Sequence, residues 1–269
     1  MRAEFSRTAA CALQQLHILV SRAAIAALAC AALAYASISM SMETKTPSAA
    51  YTEQRARLLI DIAGMAAYSA SYTGRNNISP RVMKAIERVP RHAFVPEAQQ
   101  RHAYENRALP IGEGQTISQP YIVALMTDML DPEQDDVVLE VGTGSGYQAA
   151  VLAELVRTVY TIEVIESLGR RGAAMLSELR YANVHTRIGD GYNGWPEHAP
   201  FDGIIVTAAA PHVPAPLIAQ LKPGGRLVIP VGEDGNPQQL LLIRKRADGS
   251  ISQTETIPVQ FVPLTRPPS

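Results

Sequence analysis

The residues with the clearest chemical potential are Glu140-Val141-Gly142-Thr143-Gly144-Ser145-Gly146. They follow a short apolar run and precede a helical pattern. Glycines in that place let the backbone turn tightly and approach a ligand. The start of the following helix offers free N–H groups to a polar or anionic group. Glu163 lies at the end of the next apolar run, about where an acidic residue holds a ribose hydroxyl in nucleoside-binding folds. Strand before, helix after and acid downstream together favour a nucleoside pocket over a purely structural turn.

The spacing narrows the choice of nucleoside. A dinucleotide fingerprint, G-x-G-x-x-G, needs its third glycine three positions after the second. Here Gly146 comes two positions after Gly144, and Tyr147 stands where that glycine belongs. Glu140, two residues before Gly142, adds a negative charge. Such a charge repels a pyrophosphate but suits an ammonium. S-adenosylmethionine carries an amino group and a sulfonium, so charge logic favours it over NAD. Gly189-Asp190-Gly191 ends the third strand, Val184 to Ile188, where a side chain could reach an adenine edge. Taken alone it reads as an ordinary Asp-Gly turn.

The 269 residues carry 24 basic and 25 acidic side chains, a formal charge of -1, with no block of one sign. A nucleic-acid binder needs a basic face, so nucleic acid is not an expected partner. Cys11 and Cys30 are the only cysteines. This excludes a disulfide framework, a cysteine nucleophile or a thiolate metal site from Ala31 onward. The histidines His92, His102, His185, His198 and His212 show no H-x-x-x-H or H-x-H spacing, and no metal site is expected.

The elements that must position these residues emerge from hydrophobic periodicity. Residues 52–72 and the stretch opened by Ser79-Pro80 read as helices, with Ser79 as N-cap and Pro80 in the first turn. Arg91 to Pro120 shows no regular period, and a loop of that length in a compact domain is usually functional. Residues 118–130 read as a helix with Ser118 as a possible N-cap. From Asp136 strands and helices alternate. Strands fall at Val137–Val141, Thr158–Glu163, Val184–Ile188, Phe201–Thr207 and Arg226–Val231. Helices fall at Ala149–Val156, 165–181 and Pro214–Leu221. This alternation implies a doubly wound parallel sheet. Gln239–Lys245, a turn at Asp248-Gly249 and Ile251–Val262 read as an antiparallel hairpin at one edge.

Residues 1–45 differ from the rest. Arg2, Arg7 and Arg22 precede an apolar run from Ala23 to Met40 that contains Ala34-Tyr35-Ala36. The pattern resembles a secretory signal peptide, but an uncleaved anchor or an upstream extension before a true start at Met40 or Met42 fits as well. Residues 46–269 read as one domain. It divides into a helical and substrate-loop region (46–130), a nucleoside-binding core (131–232) and a C-terminal hairpin (233–269).

From Val82 to Val262 the chain resembles the protein-L-isoaspartate O-methyltransferases of bacterial type. The resemblance is carried by Val89-Pro90-Arg91 with Phe94-Val95-Pro96, Ala108 to Gly112, Gly114 to Tyr121 and Val138 to Gln148. Gly189-Asp190-Gly191, Phe201-Asp202, Ile204 to Ala209, Gly224-Gly225 and Ile229 to Gly232 extend it. Many methyltransferases share the glycine loop; the Thr116-to-Pro120 stretch is the specific part. The first 40 residues depart from the pattern.

The resemblance implies an α/β, Rossmann-like, S-adenosylmethionine-dependent methyltransferase with an antiparallel edge hairpin and an N-terminal helical extension. It implies methyl transfer to the free carboxylate of L-isoaspartyl and D-aspartyl residues in damaged proteins. Ester formation lets a succinimide close, and hydrolysis returns some normal aspartyl linkage. The family's active-site serine maps onto Ser118, and its cofactor residues onto Glu140, Gly142, Gly144, Glu163, Asp190 and Gly191. Thr116 and Gln119 are further candidate donors. A carboxylate with a pKa near about 4 is already ionised at neutral pH and needs no general base. Methylation of a small-molecule carboxylate is the alternative. The enzyme is expected to be a cytoplasmic monomer, because the cofactor is made in the cytoplasm, with age-damaged proteins as partners and no membrane.

Overall fold

The computed structural model describes residues 47–233 and 235–266. The signal-like segment, the candidate starts Met40 and Met42 and both cysteines lie outside the described residues. From Tyr51 onward the chain forms one compact unit. Among the described residues no helix is long and apolar enough to cross a membrane.

Seven helices and nine strands are described. The helices are α1 (Pro47–Tyr68), α2 (Ala70–Thr73), α3 (Pro80–Arg88), α4 (Pro120–Leu130), α5 (Tyr147–Ala153), α6 (Glu166–Glu178) and α7 (Ala215–Ala219). The strands are β1 (Leu109–Gly112), β2 (Gln115–Ile117), β3 (Val137–Val141), β4 (Thr158–Glu163), β5 (Val184–Ile188), β6 (Phe201–Val206), β7 (Leu221–Val231), β8 (Gln238–Lys245) and β9 (Ile251–Val259). The main sheet runs β5-β4-β3-β6-β7-β8-β9. Its first five strands are parallel, and β8 and β9 continue it antiparallel. The doubly wound sheet and the antiparallel edge are therefore as the sequence implies.

Winding starts at β3, moves outward to β4 and β5, then returns to β6 on the other side of β3. The crevice beyond the C-terminal ends of β3 and β6 is the switch point of such a sheet, where ligands bind. Two apolar cores flank the sheet. One holds Val138, Val159 and the buried faces of α1, α3, α4 and α5; the other holds Leu139, Val141, Ile162, Phe201 and α7's Leu217. Leu58, Ile62 and Ala66 form the buried stripe of α1, four residues apart, as an amphipathic helix requires. Ten of the eleven residues of α4 are buried, so the helix is covered on all sides, its Asp128 accepting from Arg75 and from Ser79 N.

Two local expectations change. Ser79 caps α3 as read, accepting from the Val82 amide. Ser118 does not cap α4: the N-cap is Gln119, and no side chain of its own closes the turn. Asn106 does so from a distance, its Oδ1 accepting from Tyr121 N at 3.0 Å. The stretch 91–120 is also more ordered than its lack of period suggests. It holds 3-10 turns at Arg91–Phe94 and Glu97–His102 and the antiparallel ribbon β1–β2. Glu113 and Gly114, both at positive φ (55° and 70°), form its tight turn.

Candidate functional site

The site is built from the loops at the C-terminal ends of the parallel strands. Beyond β3 the chain turns through Gly142, whose φ is 101°. A Cβ there would lie 2.3 Å from Thr207 Oγ1, so the residue after β6 fits only against a glycine. Thr207 fixes the turn in return by donating to Gly142 O at 2.7 Å. Helix α6 presses on the other side of the loop. A Cβ on Gly172 would meet Gly144 O at 3.1 Å and Thr143 Cγ2 at 3.2 Å.

Glu163, ending β4, is 7% exposed. Its Oε2 accepts from Gly144 N at 2.8 Å and its Oε1 from Ile165 N at 3.0 Å. Both oxygens are thus oriented by backbone amides, with lone pairs left for a diol. Val141, Gly142, Gly144, Ile162, Glu163, Ile165, Leu168, Gly191 and Thr207 line one cleft. Its far wall is the C-terminal segment Val262 to Thr265, tied down by Leu264 N to Ala209 O at 2.7 Å and Tyr192 Oη to Leu264 O at 3.1 Å. A carboxylate at one end, apolar Ile165 and Leu168 beside it and a bare glycine loop make a donor set that fits a nucleoside with a short polar tail.

Asp190 stands at the edge and does not line this cleft. Its Oδ1 accepts from Tyr192 N at 2.9 Å, capping the turn that presents Gly191, and its Oδ2 faces Arg266 at 3.7 Å. Glu140 lies within β3, so its side chain belongs to a sheet face and not to the cleft. It is wholly buried, and Thr161 Oγ1 donates to its Oε2 at 2.5 Å. Burial pushes its pKa up to about 8, with the nearby Glu163 charge adding to the rise. The ammonium-binding anion expected at Glu140 is therefore not presented to the pocket. Of the six expected cofactor residues, the fold brings Gly142, Gly144, Glu163 and Gly191 to the cleft and sets Glu140 and Asp190 behind it.

A second cleft adjoins the first. Asn106, Arg107, Thr116, Ser118, Gln119, Ile122 and the extended segment Pro258 to Val262 line it. Thr116, Thr207 and Val262 line both. Ser118 is half-buried there, and its hydroxyl carries no hydrogen bond to the described residues. Its carbonyl accepts from Arg91 Nη2 at 2.8 Å. Gln119 Nε2 donates to Asn106 O at 2.9 Å, so one of its two N–H groups is spent on holding the loop. Arg91 is fully buried, donates also to Ala103 O at 2.9 Å, and lies over the Tyr147 ring at 4.8 Å. Burial lowers its pKa to about 10, which leaves it charged at neutral pH.

The residues that sequence reading missed are Thr207 and the Val262–Thr265 wall. Thr207 comes directly after an apolar strand, and a hydroxyl at a parallel strand's C-terminal end is the signal that points to it.

Comparison with known proteins identifies the family. The profile of Protein-L-isoaspartate(D-aspartate) O-methyltransferase (PCMT) matches residues 71–268. A protein-L-isoaspartate O-methyltransferase 1 of Cupriavidus necator is 60% identical over 215 residues, 80% of this chain and 83% of that protein. A protein-L-isoaspartate O-methyltransferase 2 of Syntrophobacter fumaroxidans is 57% identical, over 80% and 87%. A solved protein-L-isoaspartate O-methyltransferase superposes with a TM-score of 0.68 at 27% identity; 78% of this chain spans 65% of that one. A putative Plasmodium falciparum enzyme of the same name, solved in complex with S-adenosyl-L-homocysteine, superposes at 0.61 with 25% identity, over 70% and 91%. By this match the chain belongs to the protein-L-isoaspartate(D-aspartate) O-methyltransferase family, S-adenosylmethionine-dependent enzymes that act on isoaspartyl residues of damaged proteins.

Proposed function

We propose that the acceptor carboxylate sits in the Asn106–Ser118–Phe261 cleft and is oriented by the Ser118 hydroxyl, while Gly142, Gly144, Glu163 and Gly191 cradle the cofactor. The observation that carries this reading is the shared wall: Thr116, Thr207 and Val262 line both clefts, so an acceptor in one faces a donor in the other. When bound, S-adenosylmethionine supplies a methyl group activated by its sulfonium. The protein's own task is alignment and exclusion of water, a proximity effect of several kcal/mol. Ser118 donates to one carboxylate oxygen and leaves the other free to attack. No proton has to be removed, since the acceptor is ionised at neutral pH. Arg107 is the one charged side chain lining the acceptor cleft among the described residues, and its charge is shared with Glu105, whose Oε2 accepts from Arg107 Nε at 2.5 Å.

On this reading Asp190 supports Gly191 and does not itself bind the cofactor. The chain works as a monomer in the cytoplasm, on damaged proteins and apart from nucleic acid or membrane. Its balanced charge and the site of cofactor synthesis support that assignment.

Labelled-methyl transfer to an isoaspartyl peptide, beside the same peptide with ordinary aspartate, tests the acceptor class. Ester on the isoaspartyl peptide alone is expected. Equal labelling of both, or preference for free small carboxylates, overturns it.

A further inference from the structure

Glu140 stands two residues before the first glycine of the loop, where a carboxylate is expected to meet the cofactor's ammonium. The structure surrounds it differently. The residue is wholly buried, Oε1 has no hydrogen-bond partner, and no cation pairs with it among the described residues. Its sheet neighbours are Thr161 on β4 and Ile205 on β6. From α5 only the Ala149 amide reaches it, and the charged group facing it is the carboxylate of Glu163. Tyr147, the titratable residue of α5, is engaged with Arg91 instead. An anion in such a place, half unpaired and beside another anion, is costly to keep.

The polar contacts run elsewhere. Glu140 Oε2 and Thr161 Oγ1 are 2.5 Å apart, and Thr161 Oγ1 and Thr143 Oγ1 are 2.7 Å apart. Thr143 belongs to the glycine loop itself. A neutral carboxyl completes this chain without conflict. With the carboxyl neutral, the bond that Thr161 otherwise donates to Oε2 reverses: the carboxyl O–H donates to Thr161, Thr161 donates to Thr143, and Oε1 remains a carbonyl oxygen, far cheaper to leave unpaired than a carboxylate. We propose that Glu140 is a positioning residue that keeps its proton through the reaction cycle and holds the glycine loop through Thr161 and Thr143, leaving the cofactor's ammonium to other groups. The proposal rests on the cofactor pocket assigned under the proposed function and adds to it the state and task of a residue behind that pocket. The rise in the Glu140 pKa toward 8 is consistent with it.

Calorimetric binding of S-adenosylhomocysteine at neutral pH to wild type, Glu140→Gln and Glu140→Ala tests this. Glutamine reproduces a neutral carboxyl in size and hydrogen bonding but not an anion. Glu140→Gln is expected to bind within about threefold of wild type, and Glu140→Ala, with the chain to Thr143 cut, roughly tenfold or more weaker. A folded Glu140→Gln protein that loses roughly tenfold or more overturns the proposal, because an ion pair to the ligand has then been removed. Loss of binding by wild type itself would instead sink the cofactor assignment. Carbon-13 NMR of glutamate side-chain carboxyls in wild type gives a readout free of variant folding. One glutamate carboxyl is expected to remain protonated at neutral pH, and full ionisation of all of them by about pH 6 overturns the idea.

Discussion

The backbone N–H of Gly144 donates to Glu163 Oε2 at 2.8 Å, tying the loop after β3 to the end of β4 across 19 residues of chain. With the Ile165 amide on the other oxygen, the carboxylate is held ready before any ligand arrives. Glu163→Ala should lower affinity for S-adenosylhomocysteine by roughly thirtyfold to several hundredfold, the loss of a charge-assisted pair of hydrogen bonds. Glu163→Gln, which keeps one acceptor, should lose less. Titration calorimetry on both variants decides, and unchanged binding by Glu163→Ala would place the ribose elsewhere.

Gly142 and Thr207 pack so closely that no side chain fits between them. Gly142→Ala forces a Cβ to within 2.3 Å of Thr207 Oγ1 at a φ of 101°. The cost should be roughly 2–3 kcal/mol of unfolding free energy. Thr207→Ala removes the obstructing hydroxyl, so the double variant should be more stable than the sum of the two single losses. Urea denaturation of the set measures the coupling, and strict additivity would show that the clash is relieved some other way.

The raised pKa of Glu140 predicts a pH dependence of stability. Burial raises its folded-state pKa above the usual 4.5, to about 8, so between those values the folded chain keeps a proton that the unfolded chain has lost. Stability from this group is therefore full below the lower value and declines as pH rises, by about 1.4 kcal/mol per unit at most, levelling off above the upper one. Glu140→Gln carries no such titration. Its stability relative to wild type should increase from pH 5 to pH 8.5. A difference that stays constant over that range would mean that Glu140 is ionised in the folded protein.

Arg91 joins three segments by donating to the carbonyls of Ala103 and Ser118 while stacked over the Tyr147 ring. Arg91→Ala strands those carbonyls and leaves a void, at roughly 2–4 kcal/mol. Because Ser118 loses its anchor, the peptide KM should rise more than the cofactor Kd. Equal effects on both would make Arg91 a packing residue only.

How far these roles can be read from sequence depends on whether the determinant is local. Bounds of β3 and β4 come from largely apolar runs cut off by glycine or polar residues, and Ser79-Pro80 marks the start of α3 because cap and first turn adjoin. The β1–β2 ribbon is hidden: strands of four and three residues are too short to display a period of two. The capping of α4 is not where Ser118 suggests because its cap comes from Asn106, 15 residues before Tyr121. Thr207 and Leu264 reach the cleft through pairing across β3, β6 and the C-terminal tail, contacts that no local window contains. Glu140 shows the limit from the other side. Its position in the motif suggests a ligand contact, but strand alternation turns it from the crevice into the core shared by Val138 and Val159.

Acceptor orientation turns on Ser118, set where the two clefts meet and free of any side-chain hydrogen bond to the described residues. Single-turnover methyl transfer to an isoaspartyl peptide, measured for wild type and Ser118→Ala at saturating cofactor, tests it most directly. Loss of one orienting hydrogen bond, worth roughly 1–3 kcal/mol, should slow transfer about tenfold to a hundredfold while cofactor affinity and unfolding free energy stay unchanged. Transfer at the wild-type rate in the folded variant would contradict it.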